Sequence, residues 1–232
     1  MQGLVTELLQ SAPIGQPVTL LTTSSKLVHR GGPWKLYTNL FSPNARKVHA
    51  VAEELGLELE TQTVDLRAGE QRTPEYLALN PNGKVPTLVD GDTVVWESNA
   101  IMCYLAGKGD TELWPKSSKR YHILQWMFWE SNHLTNAMNR LFGQKFFSGG
   151  NPDQAIVDRA TKDFRKYAAI LDGNLADKKF VTGDTLTLAD FAIGVCFGYQ
   201  VPLELPVDEL ENVTRWWSAL SATESGKVLL PG

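Results

Sequence analysis

Asn82-Gly83-Lys84-Val85-Pro86-Thr87-Leu88-Val89-Asp90-Gly91-Asp92-Thr93-Val94-Val95-Trp96-Glu97-Ser98-Asn99-Ala100 reads as a loop, a prolyl bond, a β-hairpin and the start of a helix. Thr87 to Val89 and Thr93 to Trp96 are short β-prone runs. Asp90-Gly91 between them is a strong hairpin signal, because the turns that match strand twist need positive φ. After Glu97-Ser98 the chain places apolar residues at helical spacing as far as Ala106, so Ser98 is expected as an N-cap.

That arrangement offers one kind of chemistry. A helix N-terminus presents unpaired N–H groups and the positive end of a dipole, which suits a carboxylate. Glu97, one residue earlier, suits an ammonium, and the two together would grip the zwitterionic head of an amino acid. Proline entering a strand removes a ladder donor. If Val85-Pro86 is cis, the Val85 N–H and carbonyl can face outward and pair with a peptide as an added strand would. The ligand implied is a short peptide with a free amino-acid end. The plainer alternative is a hairpin with a capped helix and no ligand.

Gly83-Lys84-Val85-Pro86-Thr87-Leu88, followed eleven residues after the proline by Glu97-Ser98, resembles the glutathione-binding half of a cytosolic glutathione transferase. The resemblance implies a cis Pro86, Val85 pairing with the cysteinyl backbone of glutathione, and Glu97 and Ser98 holding the γ-glutamyl head. Lys84 becomes a candidate for a glutathione carboxylate.

Working toward the N-terminus, Trp34 to Thr38 reads as a strand and Asn44 to Leu55 as a helix, with Ala45, Val48, Ala52 and Leu55 at helical spacing and Gly56 as its stop. Leu57 to Val64 alternates as a second strand. Thr73-Pro74 starts a short helix to Leu79. The order βαβ, α, ββ, α is the thioredoxin-like arrangement, with the first two strands parallel. Residues 1–33 form an extension. Leu4, Val5, Leu8 and Leu9 could line a short helix, but Pro13, Gly15 and Pro17 interrupt it, and no basic region precedes the apolar run Val18 to Leu21.

Toward the C-terminus, residues 108–118 read as a linker and 119–232 as an all-helical domain, giving an α/β domain over 34–107 followed by an all-α one. Lys119 to Leu141 is a long aromatic helix, Gly143 to Pro152 a loop, and Asp153 to Ala176 a further helix. Thr187-Leu188-Ala189-Asp190 is the Asp form of a capping box ahead of an apolar run. A box in that place and the helix Val213 to Leu220 also resemble the family, which then covers roughly residues 34–230.

In this family the turn after the first strand activates the thiol. Here it runs Thr38-Asn39-Leu40-Phe41-Ser42-Pro43-Asn44, without cysteine or tyrosine; Tyr37 lies within the strand. Two candidates follow from the resemblance. Ser42 stands where serine-type classes such as phi carry a catalytic hydroxyl, and Asn44 stands where nu-class relatives place an asparagine near sulfur. Ser42 followed by Pro43 is also an ordinary helix start. Arg46 and Lys47 are expected on the solvated surface. Trp126, Trp129, His133 and Phe146-Phe147 are candidate walls for a second, hydrophobic substrate, although aromatics at helical spacing commonly face a core.

Composition bounds the rest. With 232 residues, 43% hydrophobic, a mean hydropathy of -0.20, net charge -4 and pI about 5.6, the chain is an ordinary globular protein without the basic face nucleic acid needs. No apolar run approaches the roughly 20 residues that span a bilayer. The two cysteines, Cys103 and Cys196, sit far apart in helical stretches and suit free thiols in a reducing compartment, hence the cytoplasm. His49 and His133 have no partners at metal-ligand spacing, so no metal is expected. The resemblance implies a homodimeric enzyme that joins the glutathione thiolate to a hydrophobic electrophile. Two alternatives remain: a nu-type glutathione-dependent disulfide reductase or peroxidase, and a non-catalytic transferase-like binding or scaffolding module.

Overall fold

Alternation sets the first strand: along β1 (Trp34–Thr38) the side chains of Trp34, Leu36 and Thr38 are buried and those between are half-buried. The computed structural model describes residues 34–231, so the extension read at 1–33 lies outside the described residues. A βαβ crossover carries the chain through α1 (Pro43–Glu54) to β2 (Leu59–Thr63), parallel to β1 with Trp34 opposite Leu59. The strand is shorter than the expected Leu57 to Val64. It is a sheet edge whose residues after Leu59 are all exposed, so only pairing with β1 defines it. α2 (Pro74–Leu79) follows, with the Tyr76 N–H donating to the Thr73 hydroxyl at 3.3 Å. The hairpin β3 (Thr87–Asp90) and β4 (Thr93–Trp96) then completes a mixed sheet of order β2-β1-β3-β4.

The helix after the hairpin, α3 (Ser98–Ala106), corrects the expected cap. Glu97, not Ser98, is the N-cap residue, at φ 69° and ψ 114°, and no side chain caps the helix. The chain passes from strand to helix within one residue, and that abrupt turn leaves both side chains free for other partners.

The second domain is all helical: α4 (Lys119–Trp129), a π-helical turn (Glu130–Leu134), α5 (Thr135–Phe147), α6 (Gln154–Asn174), α7 (Leu188–Gly198), α8 (Gln200–Leu203), α9 (Glu211–Ser221) and α10 (Glu224–Lys227). The expected helix Lys119 to Leu141 is therefore divided by the π turn, and the expected loop Gly143 to Pro152 is helical as far as Phe147. Gly143 weakens a helix only by about 1 kcal/mol. Packing of Phe142, Phe146 and Phe147 on one another and on Phe41 extends α5 past it. Every residue of α7 is buried. Its capping box forms as expected, with the Thr187 N–H donating to Asp190 Oδ2 at 2.8 Å.

α1 joins the two domains, packing on α3 and also on α7 and α10. Helix α1 is therefore covered on more than the one face its periodicity marks, which corrects the surface placement of Arg46 and Lys47. Arg46 donates to the Val228 carbonyl at 3.2 Å, and Lys47 is only 2% exposed.

Candidate active site

Between the two domains opens a cleft of about 240 Å³ whose wall includes Asn44, Lys84, Val85, Pro86, Glu97 and Ser98. The loop before β3 supplies three of these. Gly83 lies at φ +58°, and a Cβ there would stand 3.0 Å from the Gln71 carbonyl oxygen, so glycine lets the loop fold close over the preceding segment. The Val85-Pro86 peptide is cis. Tyr76 Oη and Asn80 Nδ2 both donate to the Lys84 carbonyl, at 2.7 and 2.8 Å, and both also reach the buried Thr87 hydroxyl, at 3.0 and 3.1 Å. α2 thus clamps the chain on either side of the prolyl bond. Among the described residues the Val85 N–H and carbonyl form no hydrogen bond, so both remain available to a ligand strand.

The second arm is the start of α3. Glu97 carries a positive φ, a costly conformation for a residue with a Cβ, and backbone outliers of this kind concentrate at ligand sites. Its side chain is exposed along the cleft. Ser98 is buried and donates from Oγ to Asn44 Oδ1 at 3.2 Å, tying the start of α3 to the start of α1.

The third arm is the turn into α1. Asn39 organises it, donating from Nδ2 to the Val64 carbonyl at 2.9 Å and accepting the Phe41 N–H at 3.0 Å. Ser42 is the N-cap residue by position, but its side chain makes no cap hydrogen bond, and among the described residues its half-buried hydroxyl has no partner. With Asn44 Oδ1 accepting from Ser98, the Asn44 amide group has its Nδ2 donors left over. Beside the turn, Phe41 meets Phe142, Phe146 and Phe147 at ring-centroid distances of 5.4, 5.7 and 6.3 Å. Tyr199 Oη donates to the Phe41 carbonyl at 3.3 Å. Phe41 is 46% and Phe147 72% exposed, so this aromatic group forms an open surface rather than a sealed core.

The cleft thus brings together Asn44, Lys84, Val85, Pro86, Glu97 and Ser98 of the residues singled out in the sequence. Ser42 stands one residue before the α1 start and is not on the cleft wall. Trp126, Trp129 and His133 lie elsewhere. They form an aromatic group with Tyr167 on α6, Trp129 being 4.9 Å from Trp126 and His133 5.0 Å from Tyr167, and none of the three lines the cleft. Neither cysteine lines it. Burial pushes the Cys103 thiol up to about 11 and that of Cys196 to about 12, the latter helped by the Glu130 charge. His49 instead pairs with the Thr38 hydroxyl at 3.0 Å.

Asn99 and Glu130, not singled out in the sequence, and Lys47, expected there on the surface, also line the cleft. Lys47 Nζ lies 3.4 and 3.5 Å from the two carboxylate oxygens of Glu130, a pair buried to 2% and 0% exposure. Glu130 also accepts from the Thr135 hydroxyl, from Asn99 Nδ2 at 3.1 Å and from Ser131 Oγ at 3.2 Å. Asn99 follows directly on Glu97-Ser98 and was the one member of this group that the motif could have flagged.

Family models place residues 32–107 with the glutathione S-transferase N-terminal domain and residues 125–224 with the glutathione S-transferase C-terminal domain. The chain belongs to the glutathione S-transferase family. It is 35% identical over 199 residues to glutathione S-transferase 3 of Zea mays, covering 82% of this chain and 90% of that protein. It is 35% identical over 185 residues to the Escherichia coli K12 glutathione S-transferase GstB, with 78% and 89% coverage. Among solved structures it matches a theta class glutathione S-transferase from Xanthomonas axonopodis pv. citri with glutathione bound. That match has a TM-score of 0.78 and 30% identity and covers 84% of this chain and 95% of the other. This transferase therefore has the thioredoxin-like and all-helical pair of domains expected of it.

Proposed function

We propose that this enzyme binds glutathione along the cleft and transfers its thiolate to a hydrophobic electrophile held against the aromatic group of Phe41, Phe142, Phe146 and Phe147. The observation that carries the reading is the unpaired Val85 backbone beside a cis prolyl bond, in one cleft with Glu97, Ser98 and Asn44. The cysteinyl part of glutathione pairs with Val85, the γ-glutamyl head sits on Glu97 and Ser98, and Lys84 meets the glycyl carboxylate. The sulfur then reaches the turn into α1.

There the Asn44 amide and the Ser42 hydroxyl are the donors on offer, with the N-terminus of a twelve-residue helix behind them. Donors aimed at sulfur favour thiolate over thiol. A free thiol of pKa ~8.5 is a few per cent ionised at neutral pH, and about two units of depression, worth ~2.7 kcal/mol, makes the thiolate dominant. In the transfer step the thiolate forms a carbon–sulfur bond as the electrophile's leaving group departs with its electron pair; the thiol proton has already gone to water. Such a step turns apolar electrophiles into soluble conjugates, which suits detoxification in the cytoplasm. The nu-type reading is favoured by Asn44 lining the cleft where Ser42 does not. A second copy of the chain is the proposed partner, and the exposed apolar residues Val94 and Trp96 on the edge strand β4 are one place where it could pack.

The test compares Ser42→Ala and Asn44→Ala with the parent enzyme. The pKa of bound glutathione, followed by thiolate absorbance, is expected to rise by about one to two units in the variant that loses the main donor. Turnover of a chlorodinitrobenzene-type electrophile falls with it. If neither variant moves the bound thiol, this turn does not activate it. Reduction of hydroxyethyl disulfide exceeding conjugation would turn the reading toward the nu type.

A further inference from the structure

We propose that the outer edge of β2 is the docking site of this chain's own N-terminal extension, with the uncharged run Val18-Thr19-Leu20-Leu21-Thr22-Thr23, outside the described residues, laid against Thr61 and Thr63. β2 ends the sheet order β2-β1-β3-β4, and all its residues after Leu59 are exposed. The ladder to β1 fixes which backbone groups are left over. The Val64 N–H donates to the Thr38 carbonyl at 2.9 Å, just past the paired register of Thr38 with Thr63. Inward and outward residues alternate along a parallel strand, so the N–H and carbonyl groups of Thr61 and Thr63 point away from β1. Among the described residues only Gln62 Nε2 meets one of them, the Thr63 carbonyl at 3.4 Å. Such an edge is a template for another strand unless lysine, proline, a bulge or a covering segment blocks it. Leu59-Glu60-Thr61-Gln62-Thr63 has neither lysine nor proline.

Tether, pattern and charge select the occupant. Trp34 stands opposite Leu59, so the chain enters β1 one strand in from the free edge. A strand added outside β2 lies two strand spacings from β1, about 10 Å. Residues 24–33 reach about 33 Å when extended, which brings Thr23 to that edge with length to spare. An attached segment also competes at an effective concentration in the millimolar range. The run from Val18 to Thr23 is rich in β-branched residues, lies between Pro17 and Ser24-Ser25, and matches β2 in length. Because it ends toward the start of β1, it docks antiparallel to β2. Charge agrees with this placement. Residues 53–63 carry Glu53, Glu54, Glu58 and Glu60 and no basic residue, whereas residues 8–33 carry Lys26, His29 and Arg30 and no acidic one. The connecting residues must pass the start of β2, where Glu58 and Glu60 are exposed. Of these two, Glu60 reaches Lys35 only at 3.8 Å.

Amide hydrogen exchange, followed residue by residue in the full chain, tests this. In the parent, the Thr61 and Thr63 amides should exchange at least about tenfold more slowly than in the double variant Leu20→Pro/Thr22→Pro, whose prolines cannot donate to a ladder. Amides of β3 serve as the internal reference and should not change. A second variant, Lys26→Glu/Arg30→Glu, keeps the run intact. It should speed the same two amides by about two- to fivefold at low salt, and the effect should fade at high salt. If the β3 amides also quicken in the proline variant, the charge variant carries the comparison. Equal exchange at Thr61 and Thr63 in the parent and the variants, whether fast or slow, overturns the proposal. Protection that survives the prolines and grows with protein concentration also overturns it, because a second copy of the chain then occupies the edge.

Discussion

Asp190 and Glu130 are both wholly buried carboxylates, and they are held in opposite ways. Asp190 takes only neutral donors: the N–H groups of Val181 and Thr187 at 2.9 and 2.8 Å, the Thr187 hydroxyl at 3.0 Å and Trp216 Nε1 at 2.9 Å. Burial pushes its pKa up, and those hydrogen bonds work against the shift. Its partners come from three segments of the helical domain, and none of them faces the cleft. Glu130 sits in the π turn and gathers Lys47 from α1, Asn99 from α3 and Thr135 from α5, spanning both domains beside the ligand cleft. Short π segments inserted in α-helices are frequent at functional sites. A sealed polar centre therefore specifies the fold. One that opens on a cavity can hold the domains together and still have capacity for a ligand.

The largest expected effect breaks the two centres apart. Asp190→Ala strands two buried N–H groups and an indole N–H, each costing about 1–3 kcal/mol, so denaturant unfolding should report a loss of about 4 kcal/mol. The affinity of the remaining folded protein for S-methylglutathione should stay within about twofold of the parent. Binding that collapses along with stability would mean that the sealed centre is not separate from the cleft.

Glu130→Gln should cost less. Truncating one partner of a buried ion pair costs roughly 3–5 kcal/mol, and the amide keeps the volume and part of the hydrogen bonding, so about 2–3 kcal/mol is expected. The variant also leaves Lys47 without a protein counter-charge. If an anionic group of the ligand comes to that ammonium, saturating S-methylglutathione should then raise the thermal midpoint by more than it does in the parent. An equal shift in both proteins would show that the pair is as closed to ligand as Asp190.

The same contrast explains what could be seen in the sequence. The Asp190 box was legible because all its spacing is local: Thr187 and Asp190 lie within one helical turn. So was the cleft edge from Lys84 to Ser98, where turn chemistry and a proline fix the backbone. Lys47 was not legible, since the periodicity of α1 marks one apolar face, whereas the second domain covers another. Phe146 and Phe147 were named as candidate wall residues, but their meeting with Phe41 was not legible, because it needs α5 to run on through Gly143. Both depend on contacts across more than a hundred residues of chain or between domains. Ser98 lines the cleft but is not the N-cap expected of it, since the cap is set by how sharply the chain turns at Glu97.

A third carboxylate, Asp90 in the hairpin, gives the smallest effect and the opposite sign from Asp190. Burial alone would raise its pKa, but hydrogen bonds from Tyr104, Lys108 and Trp34 outweigh that and hold it at about 2, below the ordinary 3.8. Tyr104 Oη donates to Oδ2 at 2.7 Å and Lys108 Nζ at 3.0 Å. A depressed folded pKa adds stability that is present above about 3.8 and is lost as pH falls toward 2. Asp190, with its pKa raised, contributes most below 3.8 and loses that contribution as pH rises through the raised value. Tyr104→Phe should therefore cost only on the order of 1 kcal/mol near neutral pH, because interactions this near the surface are screened, and the difference shrinks as Asp90 protonates in parent and variant. Urea midpoints taken from neutral pH down to about pH 2 would show the two curves converging; parallel curves would mean that the Tyr104 bond does not act through the ionised carboxylate.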